Sequence, residues 1–282
     1  MYILGIDSST KILSIALSRN DKTMGKIEDR RSERFMVNII SIIDKLLKRN
    51  KIDLSTIDIF TVDAGPGDFT GTRIGISILK AFSLVENKPV FGIDTLDIFA
   101  VQLFINNLSK TMVSLAGNIT ILLVPVLDVK RDELFFSFYG VSYYPDTKEK
   151  TIELSVGRKA YFLNKTTRNY LVDSESFILT FNKLLLSTEL NLTDINKVLI
   201  IFSGTAFNSY KTLNQDIKRL GYRFIFDRWG MYPKAEFLNL CTYSRVKEKL
   251  KEKISNTHKV EILGDRLIKP FYVREFVPFG KS

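Results

Sequence analysis

Histidine and cysteine are almost absent from this chain, which has one of each, His258 and Cys241, among 282 residues. A histidine-based catalytic triad could use only His258, and one His with one Cys cannot assemble a zinc site. A disulfide within the chain is excluded, and the low cysteine count fits a reducing compartment. His258 lies in a lysine-rich stretch, which favours an exposed surface side chain. Cys241 lies between Leu240 and Thr242, which favours a buried structural thiol.

Long apolar runs and a targeting segment are also missing. The longest apolar run, at residues 121–127, has about seven residues, whereas a membrane-spanning helix needs roughly twenty. The first residues carry no basic side chain, and Asp7 interrupts the apolar stretch that a signal peptide requires. We therefore expect a soluble cytoplasmic protein with no membrane partner.

Acidic residues are outnumbered, with 31 Asp and Glu against 41 Lys and Arg, for a formal charge of +10. This excess favours polyanionic partners, nucleic acid first. Apolar residues make up 45% of the chain and charged residues 26%, which is ordinary for a globular protein and excludes a disordered or fibrous one. The length is sufficient for two domains of about 150 residues each.

Apolar patterns and turn residues predict the same order of elements twice. Residues 1–110 are predicted to form strands at 2–6, 12–17, 25–29, 57–62 and 89–93 and helices at 32–50, 71–86 and 96–108. Residues 111–282 are predicted to form strands at 119–127, 133–139, 198–203 and 222–226, helices at 174–186, 207–220 and 235–254, and an extended tail. Each half thus begins with a hairpin. This order predicts an α/β fold of two lobes, each a mixed sheet with flanking helices, divided near residues 107–118.

The densest local signal is a glycine-rich turn between a predicted buried strand and a predicted helix. Its characteristic residues are Gly65, Pro66, Gly67, Phe69, Thr70, Gly71, Arg73 and Gly75. Such a turn allows close helix packing, with Thr70 as a helix cap, and its free amides could hold an anion. It is neither a Walker loop nor a GxGxxG motif. A structural turn and a phosphate site both remain open.

A second candidate is the tip of the first predicted hairpin, formed by Asp7, Ser8, Ser9 and Thr10. A carboxylate with neighbouring hydroxyls could hold hydrated magnesium and phosphate oxygens. The same residue types also satisfy the backbone of ordinary turns. Nucleotide-binding hairpins of this kind usually have glycine after the aspartate, where this chain has Ser8, so the ordinary turn is favoured.

The first two predicted helices have unusually wide apolar faces. Phe35, Ile39, Ile42 and Leu46 form one stripe on the first helix, beside a second stripe of Met36, Ile40, Ile43 and Leu47. The second helix carries Ile74, Ile78 and Phe82 among other apolar residues. One stripe suffices to cover a sheet, so the wider arc predicts a second surface. That surface could belong to a partner or to another part of this chain.

Residues 245–259 are lysine-rich, with a net charge of +4 from six Lys and Arg against two Glu. Such a run is most often a solvated helix face, although it could also contact RNA phosphates.

Several motifs together resemble the TsaB (YeaZ) family. They are Leu4-Gly-Ile-Asp-Ser-Ser-Thr10, Gly65-Pro-Gly-Asp-Phe-Thr-Gly-Thr-Arg-Ile-Gly75, Pro125-Val-Leu-Asp-Val-Lys-Arg-Asp-Glu133, Tyr232-Pro-Lys-Ala235 and Pro270-Phe-Tyr-Val-Arg274. The resemblance implies two lobes of the actin-like, Hsp70-like fold. It also implies a role in making threonylcarbamoyladenosine beside the anticodon of tRNAs that read ANN codons.

In that family, the resemblance implies a noncatalytic scaffold that forms a heterodimer with the transferase TsaD, with the ATPase TsaE attached. TsaD-type relatives hold a metal with an HxxxH pair, which this chain lacks. The resemblance assigns the partner interface to the first two helices, at Phe35, Ile39, Ile42, Leu46, Ile74, Ile78 and Phe82. It implies no catalytic or metal-binding residue, no cofactor in the isolated chain, and room for ATP or ADP at the TsaD contact. The tRNA would be reached through TsaD, and the free chain could homodimerise through the same helices.

Two other functions stay open from the sequence. An ATP-using kinase of the same fold would hold Mg-ATP with Asp7 and the glycine-rich turn. A direct tRNA-binding module would rest on the positive charge.

Overall fold

The first sheet has five strands, with β1 at its centre. The computed structural model describes residues 1–30, 35–143, 151–157, 159–190 and 192–255. The strands are β1 (Tyr2–Asp7), β2 (Ile12–Arg19), β3 (Lys22–Arg30), β4 (Ile59–Asp63) and β5 (Val90–Ile93), in the order β3-β2-β1-β4-β5. β1, β2 and β3 are antiparallel neighbours, whereas β4 and β5 run parallel to β1. The sheet is therefore mixed, as predicted.

Two helices cover one face of this sheet. They are α1 (Phe35–Arg49) and α2 (Phe69–Glu86), and α3 (Thr95–Asn106) and α4 (Leu108–Ala116) follow β5. Side chains alternate between the two faces of a strand. In β4, Phe60 and Val62 thus join the core formed with α1 and α2, which includes Ile39 and Ile43. Thr61 points to the opposite face.

The second sheet repeats this order. Its strands are β6 (Thr120–Asp128), β7 (Glu133–Phe136), β8 (Tyr139–Ser142), β9 (Thr151–Val156), β10 (Lys159–Lys165), β11 (Tyr170–Asp173), β12 (Val198–Ser203) and β13 (Phe224–Phe226). The path β11-β7-β6-β12-β13 has the same sequence of antiparallel and parallel pairs as β3-β2-β1-β4-β5. β8, β10 and β9 extend it on one side. The repeated order confirms the predicted fold of two actin-like lobes with mixed sheets.

The helices of the second half are α5 (Phe177–Leu185), α6 (Ala206–Ser209), α7 (Leu213–Arg219) and α8 (Ala235–Ser255). The last of these, α8, packs on the free face of the first sheet. The Ala235 amide donates to Ser14 Oγ at 2.9 Å, and the Thr61 and Thr242 hydroxyls lie 2.6 Å apart. Asn239 Nδ2 lies 3.0 Å from the Ala16 carbonyl oxygen. A helix from the second half thus closes the first lobe.

Several predicted elements need correction. The predicted strand 133–139 is two strands, β7 and β8, and the predicted helix 207–220 is two helices, interrupted at Tyr210. The predicted boundary region contains helix α4, and β9, β10 and β11 were not predicted. His258 and the tail with Pro270 and Pro278 lie outside the described residues. The division at residues 110 and 111 stays a prediction.

Candidate functional site

The glycine-rich turn lies directly on the tip of the first hairpin. The Asp68 amide donates to the Ser9 carbonyl oxygen at 2.6 Å. A Cβ atom at Gly67 would lie 2.5 Å from that same oxygen, so only glycine allows this approach. Gly65 has a φ of 95°, in the left-handed region that favours glycine. Gly65 and Gly67 therefore serve a close backbone contact between the two motifs.

Helix α2 begins at Phe69, two residues earlier than predicted. Asp68, and not Thr70, is the cap residue, because Asp68 Oδ1 accepts from the Gly71 amide at 2.8 Å. Thr70 is exposed. The Arg73 guanidinium stacks on the Phe69 ring, 3.7 Å from its centroid.

Small residues also bring α2 against the hairpin. Ser8 Oγ donates to the Gly71 carbonyl oxygen at 2.8 Å, and a Cβ atom at Gly75 would lie 2.5 Å from Ser8 Oγ. Through these close approaches, the first turns of α2 pack against the end of β1. The predicted close helix packing at Gly71 and Gly75 is present in the structure.

Two buried carboxyl groups, Asp7 and Asp63, lie behind this contact at the ends of β1 and β4. Asp7 Oδ1 accepts from the Ser9 amide at 2.9 Å and from Ser9 Oγ at 2.8 Å. Asp63 Oδ1 accepts from the Gly65 amide at 2.8 Å and from Thr95 Oγ1 at 2.6 Å. Burial raises the pKa of Asp63 to about 6, and burial together with the charge of Asp63 raises the pKa of Asp7 well above its usual range.

The groups that would hold a phosphate here are already bonded within the protein. The Asp68 amide is used by Ser9, and the Ser8 hydroxyl is used by Gly71. Asp7 Oδ2 and Asp63 Oδ2 are buried without a hydrogen-bond partner among the described residues. The hairpin and the turn thus bond to each other where a phosphate would need open donors. Ser9 and Thr10 are buried in this contact.

The predicted interface residues fall into two groups. Ile39 and Leu46 are fully buried in the core between α1 and the first sheet, so they serve this chain's own fold. Ile42, Ile74, Ile78 and Phe82 are half-buried at the margin of that core, and Phe82 packs against Phe60 with ring centroids 6.0 Å apart. The backbone of Phe35 begins α1, and its side chain lies outside the described residues.

Both helices expose further apolar side chains that the sequence reasoning did not assign to the interface. Ile40 exposes 59% of its surface, Leu84 83% and Val85 78%. Val85 lies on the same side of α2 as Ile74 and Ile78, since eleven residues make three turns. We call the set Ile40, Ile42, Ile74, Ile78, Phe82, Leu84 and Val85 the helix face.

A charged network between the lobes was also missed. Asp97 of α3 accepts from Lys165 Nζ at 3.0 Å, from Tyr139 Oη at 2.6 Å and from Arg245 Nη2 at 2.6 Å. Lys165 also lies 3.1 Å from Asp94 Oδ2. Burial alone would raise the pKa of Asp97, but the cations of Lys165 and Arg245 lower it below its usual value. These residues come from four distant elements, so no local spacing could reveal them.

The described ranges contain neither a candidate metal-ion cluster nor a membrane-spanning helix. No group of three or more His, Cys, Asp or Glu side chains is placed there to hold a metal ion. No helix of those ranges is long and apolar enough to cross a membrane.

Comparison with known proteins finds similarity in the first half of the chain. The family model described as "TsaD: tRNA N6-adenosine threonylcarbamoyltransferase" matches residues 15–124. The tRNA threonylcarbamoyladenosine biosynthesis protein TsaB of Buchnera aphidicola subsp. Schizaphis graminum is 36% identical over 98 residues, 35% of this chain and 46% of that protein. TsaB of Escherichia coli K12 is 33% identical over 96 residues, 34% of this chain and 41% of that protein. These matches support the resemblance of this chain to the TsaB (YeaZ) family.

The likeness to a solved structure extends over both lobes. YeaZ from Pseudomonas aeruginosa superposes with a TM-score of 0.59 over 88% of this chain and 93% of that chain, at 17% identity. This likeness supports the YeaZ fold for the part of the chain that superposes. In sequence, the chain spans about half the length of the curated TsaB relatives that it matches.

Proposed function

We propose that this chain is a noncatalytic cytoplasmic subunit in tRNA threonylcarbamoyladenosine biosynthesis, which binds a TsaD-type transferase through its helix face. The observation that carries the proposal is the exposed apolar surface of α1 and α2, the two helices that cover the first sheet. The names of the sequence relatives supply the pathway.

The helix face has the composition of a protein contact. Leu84 and Val85 expose most of their surface to water next to the half-buried Ile74 and Ile78. Burying a large aliphatic side chain contributes about 1.5–3 kcal/mol, so several such residues supply the apolar centre of an interface. Large apolar side chains left exposed on these two helices are candidates for an interaction surface.

The TsaD family match supports the choice of partner. Residues 15–124, which match the TsaD model, include α1 and α2. A partner with a similar lobe would present equivalent helices, so the two pairs could meet around an approximate twofold axis. A homodimer would use the same geometry, and it is the competing occupant of the helix face.

Two observations support a noncatalytic role. The hairpin and the glycine-rich turn bond to each other, since the Asp68 amide donates to Ser9 and Ser8 Oγ donates to Gly71, which leaves these donors unavailable to a phosphate. The chain's one histidine cannot form an HxxxH pair. We propose that chemistry occurs on the partner, that TsaE joins the complex there, and that any ATP or ADP lies at the contact between the chains.

The test is co-elution of the full chain with a TsaD-type transferase by size-exclusion chromatography. Val85→Asp and Ile40→Asp change exposed side chains, so both variants should fold, and each should weaken association at least tenfold because it places a charge in an apolar contact. Leu179→Asp is the matched control, since Leu179 is 74% exposed on α5. Repeating the measurement with and without ATP tests a nucleotide at the contact.

Unchanged co-elution of both helix-face variants would refute the assignment of this surface. If the chain elutes as a homodimer and added transferase does not dissociate that dimer, the helix face is occupied by a second copy of the chain. Micromolar Mg-ATP binding with turnover by the isolated chain would overturn the noncatalytic role.

A further inference from the structure

A tryptophan is displayed on a tightly held turn after β13. Trp229 exposes 88% of its surface. Its amide donates to Asp227 Oδ1 at 2.9 Å, and Ser203 Oγ lies 2.8 Å from the Gly230 carbonyl oxygen. Asn106 Nδ2 donates to Asp227 Oδ2 at 2.9 Å, and a Cβ atom at Gly230 would lie 2.9 Å from that same carboxylate oxygen. The backbone under the indole is therefore fixed while the ring itself faces water.

This turn lies where the fold collects strand ends. Ser203 ends β12, Asp128 ends β6, and the turn follows Phe226 at the end of β13. The three strands are parallel, so their carboxyl ends meet at one edge of the second sheet. In open α/β sheets this edge is the usual position of ligands.

Two separate contacts connect this edge to the first lobe. Tyr232 Oη lies 3.4 Å from Asn208 Nδ2, and Lys11 Nζ lies 5.5 Å from the Tyr232 ring centroid. The second contact joins the loop after β6 to the residue before α2, where Lys130 Nζ lies 3.6 Å from Asp68 Oδ2. We call the residues Lys11, Lys130, Arg131, Arg228, Trp229 and Tyr232 the basic rim.

The cations of the rim face water. Lys11, Lys130 and Arg228 are exposed, and Lys130 exposes 80% of its side chain. Among the neighbouring acids, Asp128 accepts from the Lys130 amide at 2.8 Å and from the Ser209 hydroxyl. Asp68 caps α2 through the Gly71 amide and lies 3.6 Å from Lys130 Nζ. The exposed cations of the rim therefore outnumber its exposed acid, Asp132.

We propose that Trp229 stacks on an unpaired base of RNA while Lys11, Lys130 and Arg228 neutralise the flanking phosphates. An aromatic ring set among exposed cations is the arrangement that binds single-stranded nucleic acid. The centre of a protein interface is richer in apolar residues. Trp229 is the large apolar side chain found exposed within residues 200–234. Phe69, in the glycine-rich turn, is instead covered by the guanidinium of Arg73.

The class of RNA, a tRNA with an unpaired loop, comes from the proposed function, and the inference rests on that function to this extent. It uses a surface other than the helix face. The two can therefore fail separately, because loss of RNA binding need not change co-elution with the transferase.

The experiment uses the tryptophan itself, since it is the chain's single Trp and its fluorescence reports on this site alone. The full chain is titrated with an unmodified tRNA transcript and with a short single-stranded oligoribonucleotide. Stacking should quench the emission, with saturation in both titrations and weaker binding at higher salt.

Affinity of the variants is measured by anisotropy of labelled RNA. Trp229→Ala should weaken binding about 5- to 150-fold, the range expected from loss of one stacked base, and Trp229→Phe should weaken it less. Arg228→Ala and Lys130→Ala should each weaken binding and reduce the slope of log affinity against log salt by about 0.7. Leu186→Ala and Lys183→Ala on or beside α5 are the matched apolar and basic controls, and both should bind as wild type.

Three results would overturn the proposal. One is unchanged emission at RNA concentrations that saturate the anisotropy signal. Another is wild-type RNA affinity of Trp229→Ala. The third is a loss of co-elution with the transferase by Trp229→Ala at unchanged RNA affinity, which would assign the indole to a protein contact.

Discussion

Arg245 Nη2 lies 2.6 Å from Asp97 Oδ2, and this ion pair joins α8 to the beginning of α3. Lys165 of β10 contacts the other oxygen of the same carboxylate at 3.0 Å. The buried carboxylate of Asp97 therefore joins α3, β10 and α8. Asp97 and Lys165 are largely buried, whereas Arg245 exposes 36% of its side chain. Removing the shared acid leaves charge that water screens only in part.

Asp97→Asn should destabilise the protein by about 3 kcal/mol, because both cations lose their common partner. Urea unfolding followed by circular dichroism measures the change. Asp216→Asn is the matched control, since Asp216 pairs with Arg219 at 3.0 Å on the surface and should change stability by less than about 1 kcal/mol. Equal effects of the two variants would contradict a structural role for the network.

The Asp7 and Asp63 pair should make stability depend on pH. An acid whose pKa is raised by folding stabilises the folded state below its unfolded pKa, and this contribution is lost as pH rises through its folded value. For Asp63 the window runs from 3.8 to about 6. Asp63→Asn keeps an acceptor for Gly65 and Thr95 but cannot ionise, so it should gain about 3 kcal/mol relative to wild type between pH 4 and pH 8.

Asp173→Asn provides a control of opposite sign. Hydrogen bonds from Ser176 lower the pKa of Asp173, so the stability it contributes is present at neutral pH and is lost as pH falls below 3.8. Denaturant midpoints measured from pH 3 to pH 8 separate the two behaviours. A flat difference between Asp63→Asn and wild type across that range would show that the buried pair does not titrate as described.

Gly67→Ala should destabilise the protein by roughly 1–3 kcal/mol, because its new methyl group would meet backbone at Ser9 and force the turn off the hairpin. Gly117→Ala is the comparison, since a Cβ atom there would approach other atoms no closer than 3.5 Å. That second change should be neutral or slightly stabilising. Thermal unfolding of both variants gives the answer, and equal melting temperatures would argue against the close contact.

Cys241 should not react with a thiol reagent while the protein is folded. It is fully buried in α8, and burial raises the pKa of its thiol far above the usual range. Since it is the chain's one cysteine, the rate of modification reports opening of α8. A native-state rate near that of a free thiol would place Cys241 outside the core.

Local patterns predicted much of this fold, and non-local pairing explains most of what they missed. The hairpins that open each half were predictable because apolar strands flank short polar turns. β11 has no glycine or proline boundary, whereas Gly157 does precede β10, and the positions of both strands depend on pairing with β7 and β8. The contact of the Asp68 amide with Ser9 joins two distant motifs, which the local sequence could not reveal.

The sequence predicted the motifs of the candidate site but not the contacts between them. The glycine turn and the hairpin were both singled out, but their mutual contact, and with it the misfit to phosphate, required the structure. Helical periodicity found two apolar helices and could not tell that Ile39 and Leu46 face the sheet while Ile40 and Val85 face water. Trp229 gave no periodic signal, because its exposure is set by the turn that Asp227 and Ser203 hold.

The packing of α8 on the first sheet has a consequence for biosynthesis. Asn239 is bonded to the Ile3 carbonyl oxygen, 236 positions away in the chain. Long loops of this kind close slowly, and they close only after both ends exist. On the ribosome, the first sheet is made early, but Ser14, Ser18 and Thr61 on this face lack their helix partners until α8 emerges. We therefore expect residues 1–116 expressed alone to be less stable than the same residues in the full chain.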